Sequence, residues 1–400
     1  MKFWQTYISK QKTEYLKACY PKNFRADLIA VIPCYDEPEL RTTLESLLKC
    51  APTKGNLLTA VIINSSVRCS ENVIEQNRKT YQEVLHFAQQ NNNKKISFFP
   101  LIFEKLPRKH AGVGLARKIG MDLSIVHFLN NNNPNGIIIS LDADCKVSPN
   151  FLTAIEQSYQ KNDKLCCTIQ NFHHLPENKD QELENAIRQY EAHIRYFSRS
   201  LEIIGFPYYH HTIGSAFSVS ARAYVKSGGM GRQQGGEDFY FLQKIFAFMQ
   251  TRFLSDAYVF PSARFSDRIP FGTGPALQKI LNNSEGKMMS YTFESFLQLK
   301  LLFNLKEFFY QNEIDEIEKK ILSLHPAIAQ FCLESDVLRE IEDSKNNSAS
   351  SHAFEKRFFH HFNAFKIIKF LNFSHEHHFK LSAVETEIKK QKDFLKISAY

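Results

Sequence analysis

The chain has 400 residues and no apolar run approaching the roughly 20 residues that a membrane-crossing helix needs. Its opening stretch, MKFWQTYISKQKTEYLK, lacks the apolar core of a secretory leader. A cytoplasmic location is therefore expected. No CxxC pair occurs among the eight cysteines, and the one adjacent pair, Cys166 and Cys167, lies in the apolar stretch LCCTI. Reduced thiols in a core are expected, rather than a zinc site or a disulfide set. The formal charge of +8 comes without a long basic tract, so nucleic acid is not an expected partner. A dispersed basic surface still attracts nucleotides, acidic acceptors or anionic headgroups. There is no internal repeat. The remaining composition, 43% apolar and 23% charged, is that of a globular chain long enough for one large domain and a smaller one.

Through the first two thirds, short apolar runs alternate with helical patterns. LIAVIPCY (28–35), LLTAVIIN (57–64), ISFFPLIF (96–103) and GIIISLD (136–142) read as buried strands. Between them PELRTTLESLLKC, ENVIEQNRKTYQEVLHFAQQ and GVGLARKIGMDLSIVHFL carry apolar residues at helical spacing. This alternation predicts an α/β fold with a mostly parallel sheet covered by helices on both faces. NNNNPNG (130–136) reads as a turn, and KNNSASS (345–351) as a polar linker. From about residue 285 strand signals fade, and segments such as FESFLQLKLLFNLKEFFYQ and EKRFFHHFNAFKIIKFLNF predict a helical extension. The expected organisation is a helical lead over 1–25, a sheet domain over 26–284 and a helical region over 285–400.

Ligands of such sheets bind outside the carboxyl ends of the strands. SLDADC (140–145) stands at such an end, with two carboxylates one residue apart. Two ionised carboxylates that close repel unless a cation or solvent relieves them. Asp142 or Asp144 can thus bridge a divalent ion to a diphosphate, or the pair merely ends a strand. VIPCYDEPELRTTLESL offers Asp36 or Glu37 to a base and ribose. The same residues also read as a capping box, Asp36 with Glu39, and Pro38 fits a first helical turn.

KHAGVGLARKIGMD (109–122) sets glycines at a helix start, with Lys109 and Arg117 near an approaching phosphate or base. Close packing alone would also explain the glycines. GGEDFYFLQKI (235–245) places Glu237 and Asp238 at another helix start, a position the helix dipole favours for stability alone.

Taken together and in this order, VIPCYDEPELRTTLESL, GVGLARKIGMD, SLDADCKVSPNFL and GGEDFYFLQKI resemble family 2 of the glycosyltransferases, which have the GT-A fold. The resemblance covers roughly residues 26–275. It implies that Pro33, Tyr35 and Glu37 line a nucleotide pocket and that Asp142 and Asp144 hold Mn2+ or Mg2+ on the diphosphate of a sugar nucleotide, with Asp144 the direct ligand. It further implies that the base of an inverting transfer is Asp238, with Glu237 second. A carboxylate beside an acceptor hydroxyl takes its proton while the metal steadies the leaving diphosphate.

The chain departs from the family where many members carry an aspartate at the end of the second strand; here VIINSSV has Asn64. An amide still hydrogen-bonds a base, with a different donor and acceptor pattern. In YYHHTIGSAFSVS (208–220) a strand is expected to start after His211, bringing Tyr209, His210, His211 and Thr212 to the rim of the site, a region that the resemblance implies takes the acceptor. His211 and Thr212 are the acceptor-binding candidates. SARFSDRIPFGTG (262–274) reads either as a lid whose Arg264 or Arg268 closes over the diphosphate or as a connector. The histidines of FFHHFNAF read as a packed amphipathic helix, and SHEHHF as a solvated turn.

The expected activity is transfer of a sugar from a nucleotide donor to a hydroxyl on a glycan, lipid-linked or small-molecule acceptor, with inversion. The alternatives are a retaining transfer and a non-catalytic sugar-nucleotide-binding protein. A nucleotidyltransferase would carry a glycine-rich basic signature after the first strand, which IPCYDEPEL is not. The basic, aromatic tail also allows peripheral membrane contact.

Overall fold

Strand β1 (Leu28–Cys34) is buried along its whole length, and so are the first nine residues of β2 (Leu57–Ser66). That is why both read as unbroken apolar runs: each is covered on both faces. The structure, a computed structural model, describes residues 2–11, 14–109, 111–175, 180–233, 235–264 and 272–397. It divides into two units, residues 1–179 with 212–275, and residues 180–211 with 276–400.

The first unit begins with helix α1 (Lys2–Ser9) and a 3-10 turn (Tyr15–Lys17). After β1 come α2 (Leu40–Leu48), β2, α3 (Glu71–Asn91), β3 (Ile96–Leu106), α4 (Val113–Asn130) and β4 (Ile137–Ser140). β5 (Cys145–Val147), α5 (Phe151–Lys161) and β6 (Cys167–Phe172) follow. The chain then leaves for the second unit through α6 (Gln181–Ile203) and returns to form β7 (Phe217–Ser220), α7 (Ala221–Lys226), α8 (Glu237–Phe248) and β8 (Thr251–Pro261).

These strands make one sheet in the order β3-β2-β1-β4-β7-β6-β8-β5. Pairing is parallel from β3 through β2 and β1 to β4 and again between β6 and β8, and antiparallel at β4–β7, β7–β6 and β8–β5. The α/β class with a mostly parallel, helix-flanked sheet is therefore present. Ala30, Ile32 and Cys34 share a core cluster with Leu40, Leu44 and Leu47 of α2 and with Val84 and Phe87 of α3. Each large side chain so buried contributes about 1.5–3 kcal/mol. Pro33 is buried within β1 opposite Ile62 of β2. The β1–β4 ladder has already ended, at Val31 and Ser140, so no β4 partner is deprived of a bond.

The second unit is helical. Helices Phe293–Asn304, Lys306–Gln311, Pro326–Glu334, Ser351–His361 and Ala364–His377 pack on phenylalanines that are almost wholly buried, among them Phe303, Phe309, Phe354, Phe358, Phe359 and Phe370. The last helix, Val384–Ile397, is tied to α6: the Gln391 amide donates to the Tyr196 carbonyl (3.2 Å) and to Ser200 Oγ (2.8 Å). Glu387, fully buried, accepts from the Phe293 backbone N–H (2.7 Å).

Three local expectations need correction. The strand expected directly after His211 begins only at Phe217, because the Ala216 N–H closes a turn on the Ile213 carbonyl (3.0 Å). SHEHHF is not a solvated turn, since His375 and His377 complete the last turn of a helix, where His375 Nε2 accepts from the Thr292 N–H (2.9 Å). The Asp36–Glu39 capping box does not form. Asp36 has φ +49° and α2 starts at Leu40. Among the described residues no helix is long and apolar enough to cross a membrane.

Candidate functional site

The ends of β1 and β4 lie side by side, and the loops that leave them carry the sequence's acidic motifs. After β4 the chain turns through Asp142, Ala143 and Asp144, closed by the Cys145 N–H on the Asp142 carbonyl (3.2 Å). Thr43 of α2 pins this turn by donating to the Ala143 carbonyl (2.8 Å), and the Ser262 N–H holds the Asp144 carbonyl (3.2 Å). The small buried alanine between the aspartates is thus the residue that lets the turn sit against α2.

The loop after β1 is fixed as firmly. Asp36 adopts its left-handed backbone conformation with its N–H donated to Asn77 Oδ1 (2.9 Å), a strain an aspartate tolerates better than most residues. Glu37 is 2% exposed; its Oε1 accepts from the Glu39 N–H (3.0 Å), and both its oxygens face the Arg264 guanidinium, with Nη1 to Oε1 at 3.1 Å. Arg264 Nη2 also approaches Asp144 Oδ2 (3.7 Å).

Arg117 of α4 is the second cation. Its side chain is 3% exposed and donates to Asp142 Oδ1 (2.6 Å) and to Glu237 Oε1, the first residue of α8. Asp238 completes the group, with Oδ1 accepting from the Phe239 N–H (2.8 Å). A Cβ at Gly214 would stand 2.6 Å from Asp238 Oδ2 and 3.0 Å from Arg117 Nη2, so glycine lets the chain pass at contact distance. Gly214→Ala is expected to cost about 1–3 kcal/mol of stability by overpacking this spot. Urea denaturation at neutral pH checks this, and a change below about 0.5 kcal/mol would contradict it. Similarly, a Cβ at Gly114 of α4 would strike the Gln233 carbonyl oxygen, which gives the glycines of GVGLARK the packing role that their sequence allowed.

Five carboxylates, Glu37, Asp142, Asp144, Glu237 and Asp238, therefore surround two guanidiniums. Burial raises the proton affinity of three of them. Burial, then the Asp142 charge, raises Asp144 to about 6; Arg264 opposes the rise and Glu37 adds to it. Burial likewise raises Glu237 and Asp238, with Arg117 pulling both back. Asp144 nevertheless keeps a side-chain exposure of 32% on its open side. An acid whose folded pKa is raised adds stability that is full below its unfolded value, near 4, and lost as pH rises through about 6. In EDTA, Asp144→Asn is accordingly expected to raise the melting temperature at pH 8 and to make little difference at pH 4. A uniform shift at both pH values would contradict the assignment.

All the sequence candidates but Arg268 fall within the described residues. Glu37, Arg117, Asp142, Asp144, Glu237 and Asp238 come together, with Arg264. Tyr35 is half-buried, its hydroxyl 3.5 Å from Cys69 Sγ. Asn64 is 1% exposed; its amide donates to the Gly112 carbonyl (3.0 Å), and its own carbonyl accepts from Asn77 (3.2 Å), so it ties β2 to the approach to α4. Lys109 is exposed and makes no hydrogen bond or ion pair with the cluster among the described residues. Thr212 lies two residues before Gly214 where the chain re-enters the first unit, and His211 is the last residue of the second unit's first segment. Arg268 lies outside the described residues. Gly214, Thr43 and Asn77 carry no local signal in the sequence, because their roles rest on partners 13 to 100 residues away.

Among the described residues no set of three or more histidine, cysteine or acidic side chains is arranged to hold a metal ion. Asp142 and Asp144 nonetheless suit a hard divalent cation that takes one or two protein carboxylates and completes its shell with water and phosphate oxygens, because burial and then the Asp142 charge disfavour an ionised Asp144 that no added positive charge answers.

No family model matches the chain, and no curated protein does. Among solved structures, it aligns with S. aureus TarS 1–349 in complex with UDP-GlcNAc at 12% identity and a TM-score of 0.40, over 84% of this chain and 91% of that one. TarS 1–349 without that ligand aligns at 13% identity and a TM-score of 0.37 over the same shares. A longer S. aureus TarS structure aligns at 12% identity and a TM-score of 0.38, over 87% of this chain and 55% of that one. All three are remote likenesses.

Proposed function

We propose that the chain is a metal-dependent glycosyltransferase that moves a sugar from a nucleotide donor to a hydroxyl acceptor with inversion. One observation carries the reading: Arg117 joins Asp142, at the end of β4, to the Glu237–Asp238 pair at the start of α8, while Asp144 stands beside Asp142 and faces Arg264. The order of the four motifs in the sequence supports it.

Asp144, with Asp142, would hold the Mn2+ or Mg2+, which supplies positive charge to the departing diphosphate. Arg264, beside Asp144 and Glu37, adds a second cation on that side. Glu37 and Tyr35 border the nucleotide. Asp238, half-buried and raised in pKa by burial, takes the proton of the acceptor hydroxyl as its oxygen bonds to the anomeric carbon. The bond from that carbon to the diphosphate oxygen breaks in the same displacement, and the nucleoside diphosphate leaves with the electron pair. Arg117 does not face an incoming phosphate in this reading; it holds Glu237 and Asp142 in position.

The test is calorimetric titration of a panel of sugar nucleotides with and without Mn2+, beside Asp144→Ala. One donor is expected to bind with metal to the wild type and to lose at least about tenfold in affinity in the variant. Failure of every donor to bind, with or without metal, would overturn the proposal.

A further inference from the structure

On the far side of α4 from Arg117 the first unit has a cavity of about 110 Å3 that opens to solvent beside the exposed Lys10. Lys118, Ile119 and Asp122 of α4 form one wall, Lys10 and Tyr15 come from the chain after α1, and Arg232 comes from the segment before α8. Three cations and one carboxylate thus line a space far smaller than the roughly 300 Å3 at which sites for drug-sized molecules begin.

The carboxylate is already committed. Asp122 Oδ1 accepts from the hydroxyls of Tyr7 (2.6 Å) and Tyr224 (2.8 Å), and Oδ2 accepts from Lys118 Nζ (2.8 Å). Lys118 also donates to Gln11 (2.9 Å), so this acid and this base answer one another. Lys10 and Arg232 have no such answer: among the described residues neither side chain makes a hydrogen bond or an ion pair. Arg232 lines the cavity together with Tyr15. Glu14 acts on Tyr15 and is not among the lining residues. Leu115 and Leu16 complete an apolar floor. Two unanswered cations over such a floor form a receptor for a compact, highly charged anion.

We infer that this cavity binds a small phosphate-class anion, inorganic phosphate or diphosphate, between Lys10 and Arg232 with Lys118 behind them. A nucleotide does not fit the volume. Four residues separate Arg232 from Glu237, and the carbonyl of Gln233 rests on α4 at Gly114. An occupant held by Arg232 therefore bears on the segment that delivers the Glu237–Asp238 pair. Binding itself does not depend on the transferase reading.

Equilibrium dialysis of the full chain against radiolabelled inorganic phosphate, at constant ionic strength set with KCl, tests this. Saturable binding is expected for the wild type, competed by pyrophosphate. Lys10→Ala with Arg232→Ala should weaken it at least about tenfold, as expected for lost charged hydrogen bonds. Lys10→Arg should retain it, and so should Arg264→Ala, which alters only the acidic cluster. Absence of saturable binding would overturn the inference. So would binding indifferent to the double substitution, or binding lost in Arg264→Ala instead, which would assign the phosphate to the cluster at the ends of β1 and β4.

Discussion

Arg117→Met is expected to lower the unfolding free energy by roughly 3–5 kcal/mol at neutral pH, because it leaves buried carboxylates without their counter-charge. Glu237 is 2% exposed and Arg117 is the cation paired with it, while Asp142 and Asp238 draw on the same guanidinium. Methionine roughly fills the volume and isolates the loss of charge from the loss of packing. The loss should shrink toward pH 5, where the stranded acids take up protons. Glu237→Gln in the same background should restore part of it, and a double-mutant cycle by urea denaturation gives the coupling. A loss below about 1 kcal/mol with no pH dependence would mean that the cluster does not rely on Arg117.

Under the proposed transfer, Asp238→Asn is expected to reduce turnover by about 10^2–10^4-fold, the usual contribution of a positioned base, with donor affinity nearly unchanged. Asparagine preserves shape and can still accept from the Phe239 N–H, so the fold should survive. Glu237→Gln should behave differently. That residue is more deeply buried and held by Arg117, so its loss should appear first as instability. Steady-state kinetics with the donor found by titration, paired with melting temperatures, separates the two. If Glu237→Gln removes turnover in a stable protein and Asp238→Asn does not, the base is Glu237.

Strands β1, β2 and β3 and helices α2, α3 and α4 were legible because burial writes itself into local periodicity. Asp142, Asp144, Glu237 and Asp238 were legible as motifs. What periodicity does not carry is pairing across the chain: Arg117 meets Glu237 over a separation of 120 residues, and Arg264 meets Glu37 over 227. Arg117, expected at a phosphate or base, therefore turns out to be an internal counter-ion. β5 is three residues long and too short to leave a pattern. The stretch after His211 is apolar enough to suggest a strand, but Ser140 Oγ bonds the Gly214 carbonyl (2.6 Å) and the chain turns there instead.

The excursion of residues 180–211 into the second unit also has a consequence for synthesis. α6 leaves the ribosome well before the helix Val384–Ile397 that ties down its Tyr196 and Ser200. At about 5–20 residues per second, the 180 residues between Ile203 and Val384 take roughly 10–40 s to make. For the last part of that interval α6 has Phe296 and the Gly286–Tyr291 stretch to pack on but still lacks the helix that carries Gln391. Holdase chaperones should therefore engage this protein at α6 during translation, and chains halted before residue 384 should be the ones most prone to aggregate.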